Sequence, residues 1–124
     1  MSLKVIEIAF SSYPVTDIAR SREFYEGVLG LTVTHEEINV GHWIEYDIGA
    51  GTLSIGKYPG WEPTSQGCTV GLEVEDFATA VAMIESAGVT ITMGPMETPV
   101  CHMLMIQDPD GNPLIIHKHK PGHA

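Results

Sequence analysis

The stretch VTDIARSREFYEGVLGLTV, residues 15–33, decides the fold because a second version of it, VEDFATAVAMIESAGVTI, occupies residues 74–91. Each version places an aspartate before an apolar stripe at helical spacing and has glycine near the end of the stripe. An aspartate side chain accepts hydrogen bonds from the free N–H groups of a first helical turn, and glycine readily ends a helix. The sequence therefore predicts two copies of one supersecondary unit.

Strand-like runs surround each predicted helix and complete the unit. Apolar, β-branched runs precede the helices at residues 3–12 and 68–74. Three further runs follow each helix, and turns such as NVG and GAG separate those of the first copy. These runs span residues 31–38, 42–48, 52–58, 89–92, 100–107 and 112–118. The predicted fold class is α+β, with two βαβββ modules whose mixed sheets curve into a cup-like barrel and whose helices lie outside.

The 124 residues suit one domain with this internal repeat. We assign module one to residues 1–58 and module two to residues 68–118. The segment 59–67 between them is rich in Pro and Gly and is predicted to be a surface linker. Residues 119–124 form a predicted frayed tail.

Charge and composition exclude several classes of partner. The formal net charge is −10, which argues against nucleic acid and against anionic membrane surfaces. It is compatible with a cationic small molecule, and also with the ordinary acidity of many soluble proteins. No apolar run is long enough to cross a bilayer, and MSLKVIEIAF lacks a signal-peptide pattern. Two cysteines are too few for a disulfide framework, so we expect a cytoplasmic protein with reduced thiols.

Three segments together resemble a known superfamily: PVTDIARSREFYEGVLGL at 14–31, VEDFATAVAMIESAGV at 74–89 and DPDGNPLII at 108–116. They are similar to the vicinal oxygen chelate superfamily, which includes glyoxalase I, extradiol dioxygenases, fosfomycin resistance enzymes and bleomycin-binding proteins. The resemblance covers nearly the whole chain. It implies the two-module fold, a small-molecule partner and a homodimer, but no single reaction.

In metal-dependent members, the resemblance implies ligands on the first and fourth strands of each module. These positions fall at Phe10, Ser54, Thr69 and Ile115 in this chain. Phenylalanine and isoleucine have no donor atom, and neutral hydroxyls are weak ligands for zinc, nickel or iron. We therefore expect no metal at this position and no other cofactor.

The expected ligand-binding residues line the cup or its mouth. Trp61 lies in the linker, which can fold over the cup so that the indole stacks on a planar or cationic ligand. The alternative for Trp61 is that it plugs the interface between the modules. The full set is Phe10, Ser12, Ser54, Trp61, Thr69, Leu104 and Ile115.

His102 and His117 are the candidate catalytic residues. A hairpin around DPDG predicts Leu104 opposite Ile115, and therefore His102 opposite His117 on one inward face. Two such imidazoles could act as acid and base, bind an anion, or hold a metal at a displaced site. The alternative is a pair of ordinary polar residues at an open strand end.

The same register has two further consequences. It places Met103 and Met105 on the opposite face, beneath a helix. The end HKHKPGH, residues 117–123, brings three histidines close together, and we interpret them as a loose tail with incidental metal affinity.

Three hypotheses follow from the sequence. The first is a metal-independent protein that binds a small molecule in the cup. The second is a lyase, isomerase or dioxygenase that uses a displaced or incomplete metal site, or a metal-free enzyme that uses the two histidines. The third is an interaction module whose cup is filled by its own side chains.

Overall fold

The computed structural model describes residues 2, 4 and 6–122 of the chain. It contains two strand–helix–three-strand units, as the repeat predicts. The elements are β1 Ser11–Pro14, α1 Ile18–Arg22 with a π-helical continuation Glu23–Val28, β2 Val33–Ile38, β3 His42–Ile48, β4 Gly51–Lys57, β5 Val70–Glu73, α2 Phe77–Ser86, β6 Ile91–Glu97, β7 Cys101–Gln107 and β8 Pro113–His119.

Both helices begin and end as their sequences predict. The side chains of Asp17 and Asp76 each accept a hydrogen bond of 3.0 Å from the backbone N–H three residues further on. Gly30 and Gly88 follow the helices with φ values of +73° and +69°, which glycine adopts without a steric penalty. Equivalent caps in both copies give the two helices equivalent positions.

The strands form two four-stranded mixed sheets with orders β1-β4-β3-β2 and β5-β8-β7-β6. In each sheet the module's first strand is parallel to its last, and the other pairings are antiparallel. The two sheets are not closed on each other and together form a cup.

The hydrophobic core lies between the helices and one face of each sheet. Phe24, Tyr25 and Ile84 come from the helical segments and pack against buried strand residues. The strand residues of this core are Tyr13, Ile44, Tyr46, Leu53, Ile55, Leu104, Ile106, Leu114 and Ile116. Side chains alternate along a strand, so the neighbouring residues point to the opposite face, which we call the cup face.

Several strand boundaries differ from prediction, among them those of β1, β6 and β8. β1 starts only at Ser11, and residues 6–10 form no strand; positions 3 and 5 of the predicted strand lie outside the described residues. β6 extends to Glu97 rather than ending at residue 92. β8 continues to His119, so the first residue of the predicted tail is part of the sheet. His123 lies outside the described residues.

Tyrosine hydroxyls join the two modules. The Tyr13 hydroxyl donates to the backbone oxygen of Pro113 at 2.6 Å and accepts from the backbone N–H of Val70 at 2.8 Å. The Tyr25 hydroxyl donates to the Asp108 carboxylate at 2.8 Å. Burial is the largest cause of the raised pKa of both phenols, which reaches about 12 for Tyr13. Both hydroxyls therefore remain protonated donors at neutral pH.

In the part of the chain that the structure describes, no helix combines the length and the apolar character needed to span a membrane.

Candidate ligand-binding cup

Two serines form the floor of the cup in module one. Ser12 on β1 lies beside Ser54 on β4, and Glu45 on β3 lies on the other side of Ser54. The Ser54 hydroxyl donates to the Ser12 hydroxyl at 2.6 Å, and Ser54 is fully buried. The floor is thus polar, and a hydroxyl pair and a carboxylate share one face.

Four aromatic side chains cover one part of this face, and we call them the aromatic cluster: Phe10, Trp43, Tyr58 and Trp61. Successive ring centroids are 5.3, 6.4 and 6.2 Å apart along this series. Gly56 lies beneath them, and a Cβ atom there would be 2.9 Å from the Trp61 ring and 3.2 Å from the Trp43 ring. The cluster lies against the sheet because position 56 has no side chain.

Trp61 therefore folds back from the linker onto module one's own sheet. Phe10 remains 49% exposed at the other end of the cluster. The ligand-binding residues expected from the sequence include Phe10 and Trp61 but not Trp43 and Tyr58. Trp43 could have been found because it lies two residues before Glu45 on the same strand, and such residues share a face.

A carboxylate accompanies the aromatic rings. The Trp43 indole N–H donates to Glu45 at 2.7 Å, and both side chains are partly buried. Tyr46, the next residue, points to the core and donates to Glu26 at 2.9 Å. Aromatic faces beside a fixed negative charge form an environment that suits a planar or cationic group.

Module two contributes an apolar, methionine-rich cup face. In β8, Ile115 lies between Gly71 and Met105, and all its neighbours on this face are at least partly exposed. Methionine adapts to irregular apolar surfaces, so this face suits ligands of varied shape. The face consists of Gly71, Glu73, Met93, Met96, Met103, Met105, Ile115 and His117.

The predicted register of the last hairpin is wrong by one residue. Gln107 pairs with Pro113 rather than with Asn112, because the backbone N–H of Asp108 donates to the Asn112 oxygen at 2.9 Å and closes the turn. The loop between β7 and β8 therefore spans residues 108–112, one residue more than predicted. A slip of one residue reverses the face of every side chain on a strand.

The observed register separates residues that the predicted register placed together. Leu104 pairs with Ile116 and is fully buried in the core, away from the cup. His102 pairs with Lys118, and its ring packs against Phe77 of α2 at a centroid distance of 5.4 Å. His117 stays on the cup face, so the predicted acid–base pair of His102 and His117 does not form. The two methionines of β7 face the cup rather than a helix.

The positions that the resemblance assigns to metal ligands do not suit a transition metal. Phe10 and Ile115 have no donor atoms, and the hydroxyl of Ser54 is engaged by Ser12. Thr69 lies just before β5 and is exposed. Two neutral hydroxyls are too few and too weak as donors for zinc, nickel or iron.

Two recesses lie beside the modules, and neither is lined by the cup-floor residues Ser12, Glu45 and Ser54. One, of about 710 Å³, lies at the end of module one beside Tyr58 and Trp61 and is bounded by the start of α1 and the β2–β3 turn. The other, of about 500 Å³, lies at the seam between the modules and reaches Gly71 and Glu73. Both volumes lie within the range of small-molecule sites.

Comparison with known families agrees with this architecture. The model of the Glyoxalase/Bleomycin resistance protein/Dioxygenase superfamily matches residues 7–116. The chain belongs to this superfamily. No match to a curated protein was found.

Solved structures of other proteins share the fold at low sequence identity. TnmS3, an antibiotic binding protein from Streptomyces sp. CB03234, is 22% identical, with a TM-score of 0.77 over 96% of this chain and 100% of that chain. A glyoxalase/bleomycin resistance protein from the same organism is 24% identical, with a TM-score of 0.71 over 92% and 100%. A glyoxylase/bleomycin resistance protein/dioxygenase domain from Frankia sp. EAN1pec is 17% identical, with a TM-score of 0.76 over 97% and 96%.

Proposed function

We propose that this superfamily member binds a small organic molecule in its cup without the aid of a metal ion. The observation that carries the proposal is the aromatic cluster on Gly56 with Glu45 beside it, on the same face as the superfamily's metal-ligand positions. Across the two cup faces, the aromatic rings can stack on a ligand and the methionine side chains can pack against it, whereas neither group coordinates a metal ion well.

The chemistry of the cup favours a planar, cationic or neutral ligand. Glu45 and Glu73 lie on the cup faces, and the chain has a formal charge of −10, so anionic ligands are repelled. TnmS3 has the same fold and is described as an antibiotic binding protein, which supports drug-sized compounds as the first ligands to test.

The proposal is tested with a library of antibiotics and metabolites and with the planar cation proflavine as a first probe. Ligands should raise Tm because they bind the folded state alone. Proflavine anisotropy should increase on addition of protein, with the same Kd after EDTA treatment as after addition of zinc. Binding that EDTA abolishes and zinc restores would support the metal-dependent lyase, isomerase or dioxygenase alternative instead. A cup that binds no compound would support the interaction module.

We also propose a cytoplasmic homodimer, in which a second copy covers the segment before β1. Ile6 and Ile8 are 91% and 83% exposed and lie on either side of Glu7, as apolar residues of a strand that pairs with a second copy would. Light scattering should then give twice the chain mass of 13.5 kDa. Ile6→Ser with Ile8→Ser should shift the mass toward one chain, whereas an unchanged dimer would place the interface elsewhere.

A further inference from the structure

Three donor side chains meet near the end of β8, at the rim of the cup in module two. His117 Nδ1 lies 2.7 Å from Glu73 Oε1, and His119 Nε2 lies 3.8 Å from the same oxygen. One ligand atom from each residue lies within 4.8 Å of the other two. Ligands bound to one zinc ion at about 2.1 Å are about 3.4 Å apart in a tetrahedral arrangement. The distances among the three atoms are therefore close to those that a common ion requires.

The backbone holds these residues on one face. Glu73 on β5 lies directly beside His117 on the parallel strand β8, and His119 follows on the same face two residues later. The backbone N–H of His119 donates to Glu73 Oε2 at 2.8 Å, which fixes the carboxylate. His119 itself pairs with Cys101 of β7. The site is thus built on paired strands and not on the loose tail that the sequence predicted.

The local charges favour a cation. The neighbouring Lys118 points to the opposite face, because it alternates with His117 and pairs with His102. The ammonium of Lys120 is held by Glu97 at 2.5 Å. Glu73 adds a carboxylate to this cluster, and the chain's formal net charge of −10 also favours a cation.

We propose that Glu73, His117 and His119 form a binding site for a divalent transition metal such as zinc or nickel. Two imidazoles and one carboxylate suit these ions, whereas magnesium and calcium prefer oxygen ligands alone. The side chains are 43%, 22% and 42% exposed, which leaves room for water or a donor atom of another molecule on the ion. The site is separate from the positions implied by the superfamily resemblance, and it goes beyond the proposed cup function.

The experiment is a zinc titration of the EDTA-treated 124-residue chain, in competition with the chromophoric chelator pyridylazoresorcinol. One zinc ion per chain is expected. Glu73→Gln, His117→Gln and His119→Gln should each weaken binding by more than about 10-fold. The control is His35→Gln, which removes an exposed histidine that also lies near a glutamate, at 3.3 Å from Glu37, and it should leave affinity unchanged.

The Glu73→Gln variant distinguishes a site that needs all three residues from simple chelation of zinc by the histidines near the end of the chain. If Glu73→Gln binds zinc as well as the unmodified protein, the proposal is wrong, whatever the histidine variants do. Circular dichroism verifies that each variant is folded. The absorption spectrum of the cobalt(II) form gives a second readout, because mixed nitrogen and oxygen coordination produces visible bands that hydrated cobalt lacks. Proflavine binding by His119→Gln, a variant outside the residues that make up the cup faces, tests the cup function separately and should persist.

Discussion

Replacing Asp108 with alanine is expected to lower the free energy of unfolding by about 3–5 kcal/mol, a large share of the stability of a domain of this size. The carboxylate is 4% exposed and accepts four hydrogen bonds. The donors are the Tyr25 hydroxyl at 2.8 Å, the Asn112 side-chain amide at 2.8 Å, and the backbone N–H groups of Asp110 at 2.9 Å and Asn112 at 2.8 Å.

The effect is large because alanine leaves several buried donors unpaired at once. Tyr25 is fully buried, so water cannot replace the lost acceptor. Asn112 also donates to the backbone oxygen of Pro14 at 2.8 Å, and thus ties the turn after β7 to module one. Loss of Asp108 therefore weakens both the turn and the contact between the modules.

Urea denaturation of the purified variant measures this change. The matched control is Asp47→Ala, which removes an exposed aspartate with a single side-chain donor, the Thr52 hydroxyl at 2.7 Å. The control should change stability by less than about 1 kcal/mol. If both variants lost the same free energy of unfolding, the hydrogen bonds to Asp108 would contribute no more to stability than the hydrogen bond of an exposed aspartate.

Trp43→Ala is expected to weaken proflavine binding about 10- to 100-fold, or about 1.4–2.8 kcal/mol. The indole lies between Phe10 and Tyr58, so its removal leaves these two rings without their common neighbour. It also leaves the Glu45 carboxylate without its indole donor.

Fluorescence anisotropy of proflavine measures this effect, and a second pair of variants tests the role of charge. Glu45→Gln should weaken binding of the cationic probe less than Trp43→Ala does, and should reduce its dependence on salt. Glu85→Gln, which changes an exposed carboxylate on α2, should have neither effect. Full binding by Trp43→Ala would place the ligand away from the aromatic cluster.

The fold could be predicted from the sequence because its signals are local and occur twice. For the second helix the structure confirms Asp76 and Gly88 as the predicted ends. For the first helix the sequence left Thr16 or Asp17 at the start and Gly27 or Gly30 at the end, and the structure selects Asp17 and Gly30. The repeated pattern then determines the two-module architecture. Sequence signals of this kind do not depend on distant parts of the chain.

The site was harder to predict because strand register decides which side chains face the cup. One extra loop residue at Asn112 moved Leu104 and His102 to the core side. The position of Trp61 depends on the missing side chain at Gly56, and sequence spacing does not reveal that contact. The approach of Glu73 to His117 depends on a parallel pairing between strands 44 residues apart in sequence.

The most direct measurement is an anomalous difference map from crystals of the protein soaked in zinc, recorded at the zinc absorption edge. We expect a peak at the rim among Glu73, His117 and His119, and none on the cup face around Ser12, Ser54 and Ile115. A missing rim peak would remove only the rim site. A zinc ion held on the cup face by three or more protein donors at those superfamily positions would contradict the account's central claim of metal-independent ligand binding.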